Sequence, residues 1–300
     1  MRSLGADVLV GSFTPLVTPF SGGNVDYSCY EMLVDRQAAA GSPGIVVAGT
    51  SGEPSMLSST ERVELVRRAC GAAAGRIQVV AGTGTDSLEQ TLELSIAAER
   101  AGADALLVVT PYYSRPPQRG LAEYFARVAG HVSVPLLIYH IPGRAAVTLD
   151  PATVETIAAQ AENLVGMKHA STDLDLVTDL LERLGPEFRI FAGLEALSLP
   201  MLAVGARGLM NAVGNLVPSR VAALWRAVDS GNLAEARTIN SELWELNKAV
   251  FFDTNPIAIK YMLRRIGVLP ANEHRLPMAP ATPELEERLD EVLLRAGLLT

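Results

Sequence analysis

The chain has 300 residues, of which 49% are hydrophobic and 19% charged, a composition typical of a globular protein whose large core needs neither disulfides nor metal ions. Its formal net charge of −8 argues against nucleic acid or anionic lipid as a partner. No apolar run is long enough to cross a membrane, and residues 1–16 lack the apolar stretch of a secretion signal, so the sequence predicts a cytoplasmic protein.

Short apolar runs recur about every 30 residues and predict parallel strands that are buried on both faces, because they do not alternate with polar residues. The predicted strands are residues 13–17, 44–48, 77–81, 105–109, 135–139, 164–168, 189–192 and 208–213.

Helical segments separate these runs. Ser58 with Glu61, and Asp86 with Glu89, have the spacing of capping boxes that begin helices. Asp150 before Pro151 predicts another helix start, and glycines 41, 75 and 102 are placed to end helices. The strand and helix alternation favours a closed (β/α)8 barrel, an α/β fold, over an open doubly wound sheet.

The chain continues beyond the last predicted strand with helices over residues 218–230, 232–252, 256–266 and 284–296, and an irregular Pro-rich segment over 267–282. We expect residues 1–217 to form the barrel and residues 218–300 a C-terminal helical extension packed on it. Cys29 and Cys70 lie in predicted helices and are expected to be unpaired thiols.

Lys168 is the main candidate for catalysis. It is one of three lysines, with Lys248 and Lys260, and it closes the apolar run 164–168. Burial of an ammonium group is costly and favours the neutral amine, which can attack a ketone and form a Schiff base. The alternative is an ion-paired structural lysine. Lys248 and Lys260 fall in helices and are expected to be packed or solvated.

Other polar residues follow the predicted strands, where barrel active sites lie. Residues 49–53 form a Gly-rich turn with two hydroxyls that suits an anion, although an ordinary loop would have the same composition. Tyr139 ends the strand before Lys168 and is a candidate proton donor beside it. Arg144 is suited to bind a carboxylate at the rim, the alternative being a solvated loop arginine.

These motifs together resemble the dihydrodipicolinate synthase/N-acetylneuraminate lyase family of Schiff-base aldolases over nearly the whole chain. The resemblance is carried by Thr14-Pro15, Thr18-Pro19, residues 49–53, 81–84 and 110–113, Tyr139 with Pro142, residues 166–168, Asn255-Pro256 and residues 275–277.

The resemblance implies a homotetramer, a dimer of dimers, that uses no metal and no cofactor. Lys168 would bind pyruvate as an imine and Tyr139 would be the general acid and base. Thr50 and Tyr113 would complete a proton relay, with the Tyr113 side chain reaching into a neighbouring subunit. For substrate binding, the resemblance implies Ser51, Arg144, Gly193 and Met210.

Arg144 favours the synthase branch of the family, in which this arginine binds the carboxylate of L-aspartate 4-semialdehyde during aldol condensation with pyruvate. The alternatives are a pyruvate-forming aldolase, lyase or dehydratase acting on a 2-keto-3-deoxy sugar acid or a substrate like N-acetylneuraminate, and a barrel that binds small carboxylates without turnover.

The sequence departs from the family at several positions. Ser51 and Ala145 stand where threonine is usual, and His140 and His169 where the family has asparagine and an acidic residue. By strand alternation both histidines are expected to point out of the barrel and to take no direct part in catalysis. Asp86, Gln90 and Arg62 replace the asparagine, glutamate and histidine of the lysine-feedback site, which predicts weak inhibition by lysine.

Overall fold

The computed structural model describes residues 4–5 and 8–299. The strands are β1 (Gly11–Pro15), β2 (Phe20–Ser21), β3 (Asn24–Val25), β4 (Gly44–Val47), β5 (Gln78–Gly82), β6 (Ala105–Val109), β7 (Leu136–His140), β8 (Leu164–His169), β9 (Arg189–Ala192) and β10 (Gly208–Leu209). The pair β2 and β3 forms a small antiparallel hairpin, and the other strands form a closed parallel barrel in which β10 pairs with β1.

Helices follow the barrel strands and cover their outer faces. They are α1 (Tyr27–Ala39), α2 (Ser59–Ala73), α3 (Leu88–Arg100), α4 (Gln118–Ala129), α5 (Pro142–Ala145), α6 (Pro151–Gln160), α7 (Leu174–Leu184), α8 (Ser198–Ala203), α9 (Pro218–Asp229), α10 (Leu233–Ala249), α11 (Ile257–Arg265) and α12 (Pro283–Arg295). The predicted (β/α)8 barrel is therefore confirmed.

Two of the predicted strands differ from the structure by more than one residue at an end. The first begins and ends two residues earlier, as β1, and the last stops at Leu209 instead of residue 213. A short 3-10 helix, Ala212–Asn215, replaces the end of that run. It forms because the Glu195 carboxylate, rather than a strand partner, accepts the backbone N–H groups of Ala212 and Val213.

Of the two predicted capping boxes, one is present. Ser58 and Glu61 form the expected capping box of α2, but Asp86 is not the cap of α3. Ser87 caps that helix and its side chain accepts the N–H of Gln90, so the start lies one residue later than predicted. Glycines 41, 75 and 102 have positive φ angles just after helices, as predicted.

Aromatic rings fill part of the barrel interior. Phe13 and Phe191 meet edge to face with 5.5 Å between ring centroids. Gly44 and Gly208 make room for them, since a Cβ at either position would lie within 2.5 Å of a ring atom. The open cavity lies at the carboxyl ends of the strands.

The C-terminal helices and the irregular segment before α12 return to the start of the chain. The Glu273 carboxylate accepts the N–H groups of Gly22 and Gly23 in the β2–β3 turn, and Arg275 Nε donates to the Gly23 carbonyl at 3.0 Å. Both cysteines are free thiols, as predicted. Among the described residues, none of the helices has both the length and the apolar character that a membrane span requires.

Candidate active site

Lys168 and Tyr139 lie side by side at the carboxyl ends of adjacent strands. They are direct partners in the register of β7 and β8, and Lys168 Nζ lies 4.3 Å from the centroid of the Tyr139 ring. Lys168 is 3% exposed. The predicted neighbourhood of amine and phenol is therefore present. Gly193 gives the lysine room, because a Cβ there would lie 3.1 Å from Lys168 Cε.

A buried carboxyl group, Glu195, lies near Lys168 and was missed by the sequence analysis. Its Oε1 accepts the N–H of Ala212 at 2.6 Å. Burial raises the pKa of Glu195 to about 7, while the backbone donors and the charge of Lys168 act in the opposite direction. Its place just after the strand that ends at Ala192 was the signal that could have found it.

Thr50 contacts Tyr139 from the turn that follows β4. The two hydroxyl oxygens are 3.2 Å apart and either can donate. Ser51 is buried, and its Oγ accepts a hydrogen bond from Asn255 Nδ2 at 3.0 Å. The structure therefore brings Thr50, Tyr139 and Lys168 together, with Ser51 next to Thr50 on the same turn.

A buried ion pair fixes this turn. Lys260, expected to be packed or solvated, is packed in the core and pairs with a carboxylate that the sequence analysis did not identify. Lys260 is fully buried, and its Nζ lies 2.8 Å from Glu53 Oε1. The other oxygen, Oε2, lies 3.2 Å from His274 Nδ1. Burial lowers the pKa of Lys260 and the Glu53 charge opposes that shift. The apolar residues around Lys260 in α11 were the available signal that the ammonium is buried and must be paired.

A cavity of about 460 Å³ opens above these residues, lined among others by Thr50, Tyr139, Tyr112 and Arg144. Arg144 is exposed on α5 at the rim, as the sequence predicts. Met210 is buried inside the barrel, in the apolar cluster that also contains Tyr139 and Phe191.

Tyr113 is the one predicted catalytic residue that the described part of the chain does not bring to the others. It is 92% exposed, with φ of 70°, so its side chain lies in solvent. His140 and His169 are buried and contact the loops outside the barrel, as expected from strand alternation.

A parallel barrel with a buried lysine beside a tyrosine, below an arginine-rimmed cavity, defines the class of barrel aldolases that hold a keto acid on a lysine. Within that class, the chain belongs to the dihydrodipicolinate synthetase family, whose model matches residues 8–296. It is therefore an enzyme, a lyase of the aldolase type acting on small molecules.

Individual relatives agree with this assignment. The 4-hydroxy-tetrahydrodipicolinate synthase of Thermus thermophilus is 44% identical over 290 residues, which cover 96% of this chain and 97% of the relative. That of Fervidobacterium nodosum is 38% identical over 293 residues, covering 98% of this chain and 100% of the relative. The crystal structure of dihydrodipicolinate synthase from Aquifex aeolicus superposes with a TM-score of 0.94 at 38% identity, covering 96% of this chain and 98% of that chain.

Proposed function

We propose that this enzyme condenses pyruvate with L-aspartate 4-semialdehyde, the reaction of a 4-hydroxy-tetrahydrodipicolinate synthase in lysine and diaminopimelate biosynthesis. The names of the full-length relatives support the reaction. The observation that carries the assignment of residues is the contact of buried Lys168 with Tyr139 beside the cavity that Arg144 lines.

The lysine supplies the covalent step. The neutral Nζ of Lys168 attacks the keto carbon of pyruvate, and the resulting carbinolamine loses water to give a protonated imine. The imine withdraws electrons from the pyruvate methyl group, which loses a proton and becomes an enamine. The enamine carbon then attacks the aldehyde carbon, and the aldehyde oxygen takes up a proton. Attack by the substrate's own amine on the imine closes the ring and releases Lys168.

Tyr139 moves the protons that these steps require. Its hydroxyl is 3.2 Å from Thr50 Oγ1, which is the reach needed for proton transfer between them. The Tyr113 of a neighbouring subunit would extend this relay, which requires a homo-oligomer. We assign a homotetramer, a dimer of dimers, located in the cytoplasm.

Each of the two substrates has a carboxylate, and a different residue is assigned to bind each one. Ser51 Oγ accepts a hydrogen bond from Asn255 and is assigned as a donor to the pyruvate carboxylate. Gly193 is assigned to the same pyruvate-binding site. Arg144, exposed at the cavity rim, binds the carboxylate of the semialdehyde because a guanidinium pairs with a carboxylate through two parallel hydrogen bonds. Met210 shapes the barrel interior below the site.

Reductive trapping tests the covalent step. Borohydride added with pyruvate should leave one reduced pyruvate adduct per chain, and peptide mapping should locate it on Lys168. Lys168→Ala should prevent the adduct, whereas Lys248→Arg, at an exposed lysine, should keep it. An adduct on another residue, or none, would contradict the assignment.

A coupled assay tests the second substrate. Purified enzyme given pyruvate and L-aspartate 4-semialdehyde should produce the substrate of dihydrodipicolinate reductase, read as consumption of the reductase's reduced nicotinamide cofactor. Arg144→Ala should raise the KM for the semialdehyde about a hundredfold, in line with the loss of a bidentate ion pair. No turnover together with pyruvate release from a panel of sugar-derived keto acids would assign the lyase reaction instead.

A further inference from the structure

Two buried histidines stand next to each other directly behind the Lys168 and Tyr139 pair. His140 and His169 are partners in the register of β7 and β8, one residue beyond Tyr139 and Lys168. Their exposed fractions are 1% and 0%. Their Nδ1 atoms are 3.0 Å apart, and their rings stack with centroids 5.1 Å apart.

The outer partners of the two rings fix where the protons lie. The Leu149 N–H lies 3.3 Å from His140 Nε2 and can only donate, so this nitrogen carries no proton. The Asp173 carbonyl lies 2.9 Å from His169 Nε2 and can only accept, so that nitrogen is protonated. For two neutral rings, His140 Nδ1–H must then donate to His169 Nδ1. The three hydrogen bonds therefore form a one-directional chain: Leu149 N–H donates to His140, His140 donates to His169, and His169 donates to the Asp173 carbonyl.

The surroundings of both histidine rings favour the neutral state, on which this direction of donation depends. Burial lowers the pKa of His140 to about 4, and the neighbouring His169 adds to that shift. Burial also lowers the pKa of His169. The charged group that opposes both shifts is Asp173, whose carboxylate accepts the N–H of Leu176 at the start of α7.

The first member of this chain belongs to the segment that bears Arg144. Residues 142–150 leave the barrel after β7, and Leu149, 1% exposed, is one of their buried anchors. The other side-chain bonds to this segment come from partly exposed Gln118, which contacts Thr148 O at 2.8 Å and Asp150 N at 3.1 Å. His140 therefore supplies its buried tether.

We infer that His140 and His169 are positioning residues, which form a neutral, one-directional hydrogen-bond chain that holds the Arg144 segment against the strand ends carrying Tyr139 and Lys168. This inference rests on the proposed function in one respect, since Arg144 is assigned to the semialdehyde carboxylate. Tyr139 and Lys168 are held in addition by the ladder between β7 and β8. Loss of the tether should therefore affect the second substrate and spare the imine with pyruvate.

Two substitutions of one side chain separate the two bonds of His140. An asparagine amide reaches only the position of Nδ1, so His140→Asn keeps a partner for His169 and leaves the buried Leu149 N–H unpaired. A glutamine oxygen reaches the position of Nε2, so His140→Gln restores the acceptor. We expect H140N to raise the KM for the semialdehyde about tenfold, with kcat and the yield of trapped pyruvate adduct unchanged. H140Q should return KM to within about threefold of the unaltered enzyme.

The matched control is His131→Asn, because His131 is exposed at the end of α4 and remote from the cavity lining. Its KM values should not change. The inference is overturned if H140N keeps the original KM for the semialdehyde, if H140Q is as impaired as H140N, or if pyruvate adduct formation is what fails.

A nitrogen-15 NMR spectrum of the unaltered protein tests the chain without a variant and without turnover. At neutral pH we expect His140 protonated at Nδ1 only and His169 at Nε2 only. The opposite tautomers, or a doubly protonated ring, would refute the chain. If pyruvate is trapped but the semialdehyde is not consumed, the proposed function fails while the spectrum still decides the tautomers.

Discussion

Lys168 and Lys260 are both buried, yet their surroundings give them different tasks. Lys260 Nζ lies 2.8 Å from Glu53 Oε1 and donates to the Glu273 carbonyl as well, so its proton is held by two acceptors. Lys168 lies against the face of the Tyr139 ring. Among the described residues a carboxylate forms an ion pair with Lys260 and none does with Lys168, although the buried Glu195 lies near Lys168. The Lys168 amine is therefore suited to covalent chemistry.

The neutral His140 makes the stability of the fold sensitive to acid. Its pKa is about 4 in the folded chain, against an ordinary value of 6.5, so between these values the unfolded chain binds a proton that the folded chain does not. The free energy of unfolding should therefore fall as pH decreases, by about 2 kcal/mol between pH 7 and pH 5 from this group. Urea unfolding at the two pH values measures it.

The comparison protein for that measurement is the double variant His140→Gln, His169→Gln, which lacks both imidazoles. Its loss of stability over the same pH interval should be smaller. An equal loss in both proteins would assign the acid sensitivity to other groups.

Arg62 predicts how the enzyme responds to lysine. Its guanidinium is buried, donates to the Gly82 carbonyl at 2.9 Å, and lines the cavity with Gln90 and Tyr112. The fixed cation at Arg62 repels the ammonium of free lysine, and the neutral amide at Gln90 offers it a carbonyl acceptor but no negative charge. We expect sub-millimolar lysine to leave the coupled rate unchanged and Gln90→Glu to introduce inhibition. Strong inhibition of the unaltered enzyme would contradict this prediction.

At the scale of elements, α11 and the residues on both sides of it support the turn that carries Thr50 and Ser51. Asn255 contacts Ser51, Lys260 pairs with Glu53, and His274 contacts the same carboxylate. Glu53 has φ of 55°, in the left-handed region. The turn thus depends on partners from a distant part of the chain.

Removing Lys260 should disturb both stability and activity. In Lys260→Met the buried Glu53 carboxylate loses its counter-charge, and we expect the free energy of unfolding to fall by about 3 to 5 kcal/mol. The rate should also fall because Thr50 and Ser51 lie on the same turn. Adding Glu53→Gln should recover part of the stability, since no charge is then buried alone. Lys248→Met, at an exposed position, serves as the control and should change neither quantity.

The elements that the sequence predicts well are those fixed by local patterns. The apolar run that ends at Lys168 predicts its strand, and strand order alone puts Tyr139 next to it. The ion pair of Lys260 could not be predicted in this way, because Glu53 is 207 positions away and nothing local marks it as the partner. The 3-10 helix after Leu209 could not be predicted from local pattern either, since the acceptor of its N–H groups is the Glu195 carboxylate.

At the scale of the whole molecule, Tyr113 and Leu276 are large side chains left at the surface, 92% and 88% exposed. A subunit interface would cover such side chains, although single exposed apolar residues are also common on monomeric proteins. In the proposed oligomer, Tyr113 serves both the interface and the neighbour's proton relay.

Two substitutions separate these roles of Tyr113. Tyr113→Phe keeps the ring and removes the hydroxyl, so we expect kcat to fall roughly a hundredfold with the sedimentation coefficient unchanged. Tyr113→Ala removes the ring too and should shift the protein towards smaller species as it is diluted. A fully active monomer in sedimentation and rate measurements on the same sample would refute the shared site.

The contacts of Ser51 with Asn255 and of Glu53 with Lys260 also determine when the active site can form during synthesis. A ribosome synthesises the turn with Ser51 and Glu53 early and adds their partners, Asn255 and Lys260, about 200 residues later. A nascent chain can have all its barrel strands outside the ribosome while that turn still lacks its contacts with Asn255 and Lys260. Enzymatic competence therefore requires synthesis to pass Lys260, after the barrel itself has been able to close.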